Sequence, residues 1–199
     1  MFRSAQHRGR QVKKFLAFIV AISSLEICTT DLKLYGQQPI LSPRDSVEIM
    51  INGKKISVNY GRPSMRGRQI MGGLVPYNKW WRTGANAATA FVTELDLLFG
   101  DSIVRKGSYT LYTLPAETQW KLIINQQTGQ WGTVYTPELD LVRLPLKKKM
   151  LKDPVETFTI KLEKKGNGSG TMKFIWENTE LSINFKMLKE MKTSSNHQK

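Results

Sequence analysis

Thiols and imidazoles are nearly missing from this 199-residue chain: the only cysteine is Cys28 and the only histidines are His7 and His197. All three lie close to the ends. Ser-His-Asp catalysis, Cys-His nucleophiles and histidine zinc sites need those groups held by rigid structure, so these classes are all but excluded. A P-loop and a dinucleotide-binding glycine fingerprint are also lacking, so no cofactor and no metal site is expected. No window shows sustained 3.6-residue apolar periodicity, which leaves little room for helix. Internal repeats are absent. Acid is scarce, with 16 Asp and Glu against 30 Lys and Arg for a net charge of +14.

Part of the positive charge belongs to a leader-like segment. Residues 1–14 carry Arg3, Arg8, Arg10, Lys13 and Lys14 with no acid, and the apolar run Phe15 to Ile22 follows. That run is too short for the ~20 apolar residues of a spanning helix. A basic stretch followed by a short greasy one is the pattern of a secretory signal peptide, expected here over residues 1–36, with the mature chain starting at Gln37. Lipidation of Cys28 is the lesser alternative, since Glu26 and Ile27 are not the small residues such a site prefers. Export to the periplasm or the exterior is the expected localisation. Loss of residues 1–36 would remove six cations and two acids, leaving a net +10 and no cysteine. The expectation is a disulfide-free monomer, one domain over residues 37–188, with a polar tail over 189–199.

The body of the chain reads as β. Val47, Ile49 and Ile51 alternate with polar residues, Asn52-Gly53 intervenes, and Ile56, Val58 and Tyr60 alternate again. An Asn-Gly pair between alternating runs is a strong hairpin signal, because type I′ turns need positive φ at both central positions. Further strands are expected at 88–95, 103–105, 109–114, 120–125, 139–144, 155–162, 171–176 and 181–188. The separators include Phe99-Gly100-Asp101 and the stretch from Pro145 to Pro154, where Lys147-Lys148-Lys149 reads as a solvated loop. Short β runs spaced ~8–12 residues apart predict an all-β fold, an antiparallel sandwich, jelly-roll-like or related, with little helix. Residues 61–87 are turn-rich, with at most one short helical turn around 69–74.

Between Glu48 and Glu94 there is no acid, while Lys54, Lys55, Arg62, Arg66, Arg68, Lys79 and Arg82 fall among Tyr60, Tyr77, Trp80, Trp81 and Phe91. Guanidinium forks bind phosphate, sulfate or carboxylate, and aromatic faces stack on sugar rings or on the guanidinium itself. The interval therefore reads either as a pocket for an anionic or polar ligand or as arginines bracing a long loop through its carbonyls. Nucleic acid fits such a patch chemically but not an exported protein. Glycoside hydrolysis needs paired carboxylates, and no spacing among the acids selects a pair. Trp131 and Trp176 read as core aromatics.

Tyr60-Gly61-Arg62-Pro63-Ser64, Gly67-Arg68, Leu74-Val75-Pro76-Tyr77 and Trp81-Arg82-Thr83-Gly84-Ala85-Asn86 together resemble the signature of a bacterial family, domain of unknown function 2911. Gly107-Ser108-Tyr109, Trp131-Gly132 and Val155-Glu156-Thr157-Phe158 extend the resemblance from about Ser42 to Phe185. Gly61 departs from the serine usual at its position. The resemblance implies an exported protein with a candidate site at Arg62, Arg68, Tyr77, Trp81, Arg82 and Asn86, and implies no reaction. Three functions follow as expectations. The first is a binding module for a polar or anionic envelope glycan; the others are a carboxylate-dependent glycan hydrolase and a structural envelope protein without a specific ligand.

Overall fold

A computed structural model describes residues 41–188. The expected signal peptide, Cys28 and the polar tail lie outside the described residues. Ten strands run in chain order: β1 (Arg44–Ile51), β2 (Lys54–Gly61), β3 (Thr89–Thr93), β4 (Leu97–Phe99), β5 (Ser102–Val104), β6 (Gly107–Leu114), β7 (Lys121–Asn125), β8 (Asp140–Pro145), β9 (Lys147–Lys165) and β10 (Ser169–Met187). They form an antiparallel six-stranded sheet, β1-β2-β3-β6-β7-β8, and an antiparallel four-stranded sheet, β5-β4-β10-β9. The sheets do not close into a barrel, and the fold is an all-β sandwich. One 3-10 turn, Pro137–Leu139, is the only helical piece among the described residues.

Alternation explains the core. Ile56 and Val58 on β2, Phe91 on β3, Leu111 on β6 and Leu122 and Ile124 on β7 meet Phe158 and Ile160 on β9 and Met172, Phe174 and Phe185 on β10. At period 2, the intervening residues face away from that core. Tyr112 and Ile123 are buried nonetheless, beneath loops on the opposite face of the large sheet. The Asn52-Gly53 turn forms as expected, with φ of 50° and 74° and Ile51 paired with Lys54.

Three expectations need correction. Lys147-Lys148-Lys149 and Pro154 are not loop but part of the 19-residue strand β9. An outermost strand tolerates a proline, and lysines along it discourage edge-to-edge association. The runs 171–176 and 181–188 join into β10, which bends through Glu177 at φ 51° between two register shifts. Leu97–Phe99, assigned partly to a separator, pairs with Ser102–Val104 as a short hairpin across Gly100-Asp101.

Candidate functional site

The acid-free interval folds largely as the connection of residues 62–88 between β2 and β3, and main-chain bonds tie it to both sheets. Met65 N donates to Glu156 O at 2.8 Å and Pro63 O accepts from Phe158 N at 2.9 Å, fixing its start to β9. Trp81 exchanges two bonds with Thr113 of β6, at 2.8 and 2.9 Å. Gly132 N donates to Asn86 O and Ala88 N to Gln130 O, which joins its end to the loop before β8. Glu177, at the bend of β10, accepts from the amides of Ile70 and Met71 at 3.3 Å each.

Pairing with Thr113 holds Trp80-Trp81 extended, so the two indoles leave on opposite sides. Trp81 packs on Phe158 (centroids 5.1 Å apart) and stacks on Trp176 (5.8 Å, 21°), half-buried against the core. Trp80 lies across the other face, 5.6 Å from Tyr112 and 4.9 Å from Tyr135. After Trp81 the chain coils through left-handed conformations, with φ 52° at Thr83 and 63° at Asn86. A β-branched residue rarely adopts such a φ. Thr83 is held there by buried hydroxyls: Thr89 Oγ1 donates to Thr83 O at 2.8 Å, and Thr83 Oγ1 lies 3.3 Å from Thr113 Oγ1.

The coil brings Arg82 and Asn86, four residues apart, to one cleft of about 350 Å³, whose walls also include Arg68, Trp80, Trp81 and Trp176. Arg68, Trp81, Arg82 and Asn86 of the expected six thus meet. Arg62 and Tyr77 are not in its lining. Arg62 instead pairs with Asp45 at 3.1 Å and donates to Phe158 O and Thr159 Oγ1. The Tyr77 ring lies over Gly72, where a Cβ would approach it to 2.9 Å. Most of the loop's arginines act as braces: Arg66 bonds Leu41 O, and Arg68 bonds Ser64 O at 2.7 Å and Met65 O at 2.9 Å. Arg82 differs. Its stem crosses Gly132, where a Cβ would sit 2.7 Å from Arg82 Cδ, and its head makes no hydrogen bond or ion pair among the described residues.

Trp80 also borders a second cleft of about 510 Å³, lined by Asn78, Lys79, Tyr135 and Arg143 over Leu114 and Ile123. Here Tyr135 O–H donates to Asp140 at 2.7 Å, and Arg143 binds the same carboxylate through Nε at 2.8 Å. Burial, reinforced by the bond to Asp140, pushes the Tyr135 phenol up to about 12. Neither cleft is lined by an Asp or Glu. Among the described residues no group of three His, Cys, Asp or Glu is placed to hold a metal ion. No helix among them is long and apolar enough to cross a membrane.

Sequence reasoning missed Trp80 as the shared wall and Tyr135 and Arg143 altogether, since only the fold carries β8 to Trp80. It also placed Trp131 in the core, whereas that ring is 55% exposed. Trp131 is bridged to Ala87 by its main chain, which leaves its indole outside. Trp176 is buried as expected.

A family model described as Protein of unknown function (DUF2911) matches residues 42–185, most of the chain, and the chain belongs to that family. No curated protein and no solved structure matches it.

Proposed function

We propose that this DUF2911 member is a non-catalytic binding module for an anionic glycan of the cell envelope, seated in the cleft of Arg68, Trp80, Trp81, Arg82 and Asn86. The observation that carries the reading is Arg82, a guanidinium without an acceptor among the described residues, in a cleft walled by tryptophans and lined by no carboxylate. An uncommitted guanidinium offers forked donors to a carboxylate, sulfate or phosphate. Indole faces beside it suit the apolar face of a pyranose ring. A glycoside hydrolase needs two carboxyl groups about 5–9.5 Å apart across the bond it cleaves, and clefts without a carboxylate in their lining favour binding over that chemistry. The expected signal peptide is consistent with an envelope ligand.

The test is Arg82→Gln, assayed for retention on an array of acidic and neutral glycans and for melting temperature. Retention on acidic glycans is expected to fall by about tenfold or more with melting unchanged, a charged hydrogen bond being worth roughly 1.5–3 kcal/mol. Undiminished retention overturns the reading, as does a variant that melts well below the parent. Retention lost equally from all glycans at modest salt would instead mark mere adhesion of a basic surface.

A further inference from the structure

The two clefts share one wall, Trp80, which is packed against two tyrosines. Trp80 is 37% exposed, with its ring wedged edge-on to Tyr112 and tilted on Tyr135. On one side lies the cleft of Arg82 and on the other the larger cleft of Asn78, Lys79 and Tyr135. Both volumes fall in the ~300–1,000 Å³ range of small-molecule sites, so each is large enough for a sugar unit. The charges on the two sides are also matched. Arg143 in the second cleft is paired with Asp140 at 2.7 Å, which offsets its charge toward a ligand. Lys79 is exposed and, like Arg82, makes no hydrogen bond or ion pair among the described residues. With Arg68 taken up by Ser64 O and Met65 O, each side of Trp80 therefore presents one cation that has no acceptor among the described residues.

From this we infer that the ligand is a linear acidic saccharide lying across Trp80, with one unit's acid group at Arg82 and a neighbouring unit's at Lys79. This rests on the binding role assigned above to the Arg82 cleft and adds to it the ligand's polymeric form. A unit tethered to one already bound meets the second cleft at high effective concentration, so affinity grows with chain length until both clefts are filled. Asn78 supplies a neutral hydrogen-bonding group to the second unit, and the apolar side chains of Leu114 and Ile123 in the lining suit its ring face.

The experiment is calorimetric titration of the full chain with galacturonic acid and its linear oligomers of two to six units, with neutral cello-oligosaccharides as the comparison. Affinity is expected to rise by about tenfold or more from the monosaccharide to the longer oligomers and then level off. Lys79→Gln is expected to weaken the longest oligomer by ~3- to 5-fold and so flatten that rise. Binding that is independent of length, or a length dependence that Lys79→Gln leaves intact, overturns the two-cleft inference while the Arg82 cleft stands. An absence of binding to every acidic saccharide overturns both.

Discussion

Gly61→Ala tests how the site is seated. Gly61 ends β2 directly beneath the coil of Thr83–Asn86, and a Cβ added there would stand 2.1 Å from Ala85 O and 2.9 Å from Ala85 C. Both neighbours are backbone, so no side chain can swing aside. The coil must retreat by about 1 Å to reach ordinary contact, a form of overpacking that typically costs ~1–3 kcal/mol. It has little room to do so, because Gly84 is itself enclosed, its own Cβ position lying 2.9 Å from Thr89 Oγ1 and 3.0 Å from Gly61 O. At ~2–4 °C per kcal/mol for a protein of this size, the variant should melt ~2–12 °C below the parent. Gly166→Ala is the control, since nothing lies within 4 Å of a Cβ there. Scanning calorimetry of the three proteins decides the matter. If Gly61→Ala melts within about 1 °C of Gly166→Ala, the coil does not sit on β2 as described and the Arg82–Asn86 geometry built on it falls. A serine would carry the same Cβ, so in this chain the coil lies closer to β2 than a serine permits.

Two further outcomes are expected from groups outside the Arg82 cleft. Burial raises the Tyr135 phenol from 10.0 to about 12 and also raises Tyr60, Tyr109 and Tyr112. A raised folded value stabilises below the unfolded one and is lost as pH climbs through the folded one, so melting temperature should drop between about pH 10 and 12. Tyr135→Phe should fall less steeply over that window, and identical slopes would refute the assignment. Arg62→Ala removes an ion pair to Asp45 and bonds to Phe158 O and Thr159 Oγ1. It should destabilise by ~1–3 kcal/mol in urea unfolding, and a parental midpoint would show that Arg62 is not a brace.

Where local chemistry decides conformation, the sequence was readable. Asn52-Gly53 turns where the dipeptide demands it, and the alternations at Ile56, Val58 and Tyr60 and at Phe158, Ile160 and Leu162 point into the core. Legibility failed where a strand does not have to bury anything. The first half of β9 is an exposed outermost strand, so Lys147 to Pro154 show no apolar alternation and look like loop. Its pairing comes from β10, with Lys147 opposite Ser182 and Met150 opposite Thr179, and such pairing leaves no mark in β9's own residues. The continuity of β10 was hidden for a related reason, because the bend at Glu177 breaks the period of 2 that would have joined its halves.

For the site, residue types were visible but their allocation was not. Arg62, Arg66, Arg68 and Arg82 are chemically equivalent in the sequence, and a long irregular loop has carbonyls enough to occupy all of them. Which arginine is left over depends on where the chain turns back. Up to Trp81 the connection runs against β9 and β6, and Arg62, Arg66 and Arg68 find acceptors on it or beside it. The left-handed residues Thr83 and Asn86 then reverse its course, so that Asn86 O pairs with Gly132 and the stem of Arg82 is laid across that glycine. A non-glycine residue in this conformation costs of order 1–3 kcal/mol, which buried hydroxyl bonds from Thr89 and around Thr113 offset. The same reversal that strains the backbone places the Arg82 head in the cleft, beyond the carbonyls that occupy the other three. Strain at Thr83 and an Arg82 guanidinium without an acceptor among the described residues therefore have one structural origin. Relaxing the first by Thr83→Gly, or crowding the coil by a side chain at Gly84 or Gly61, should move the second, read as a change in retention on acidic glycans.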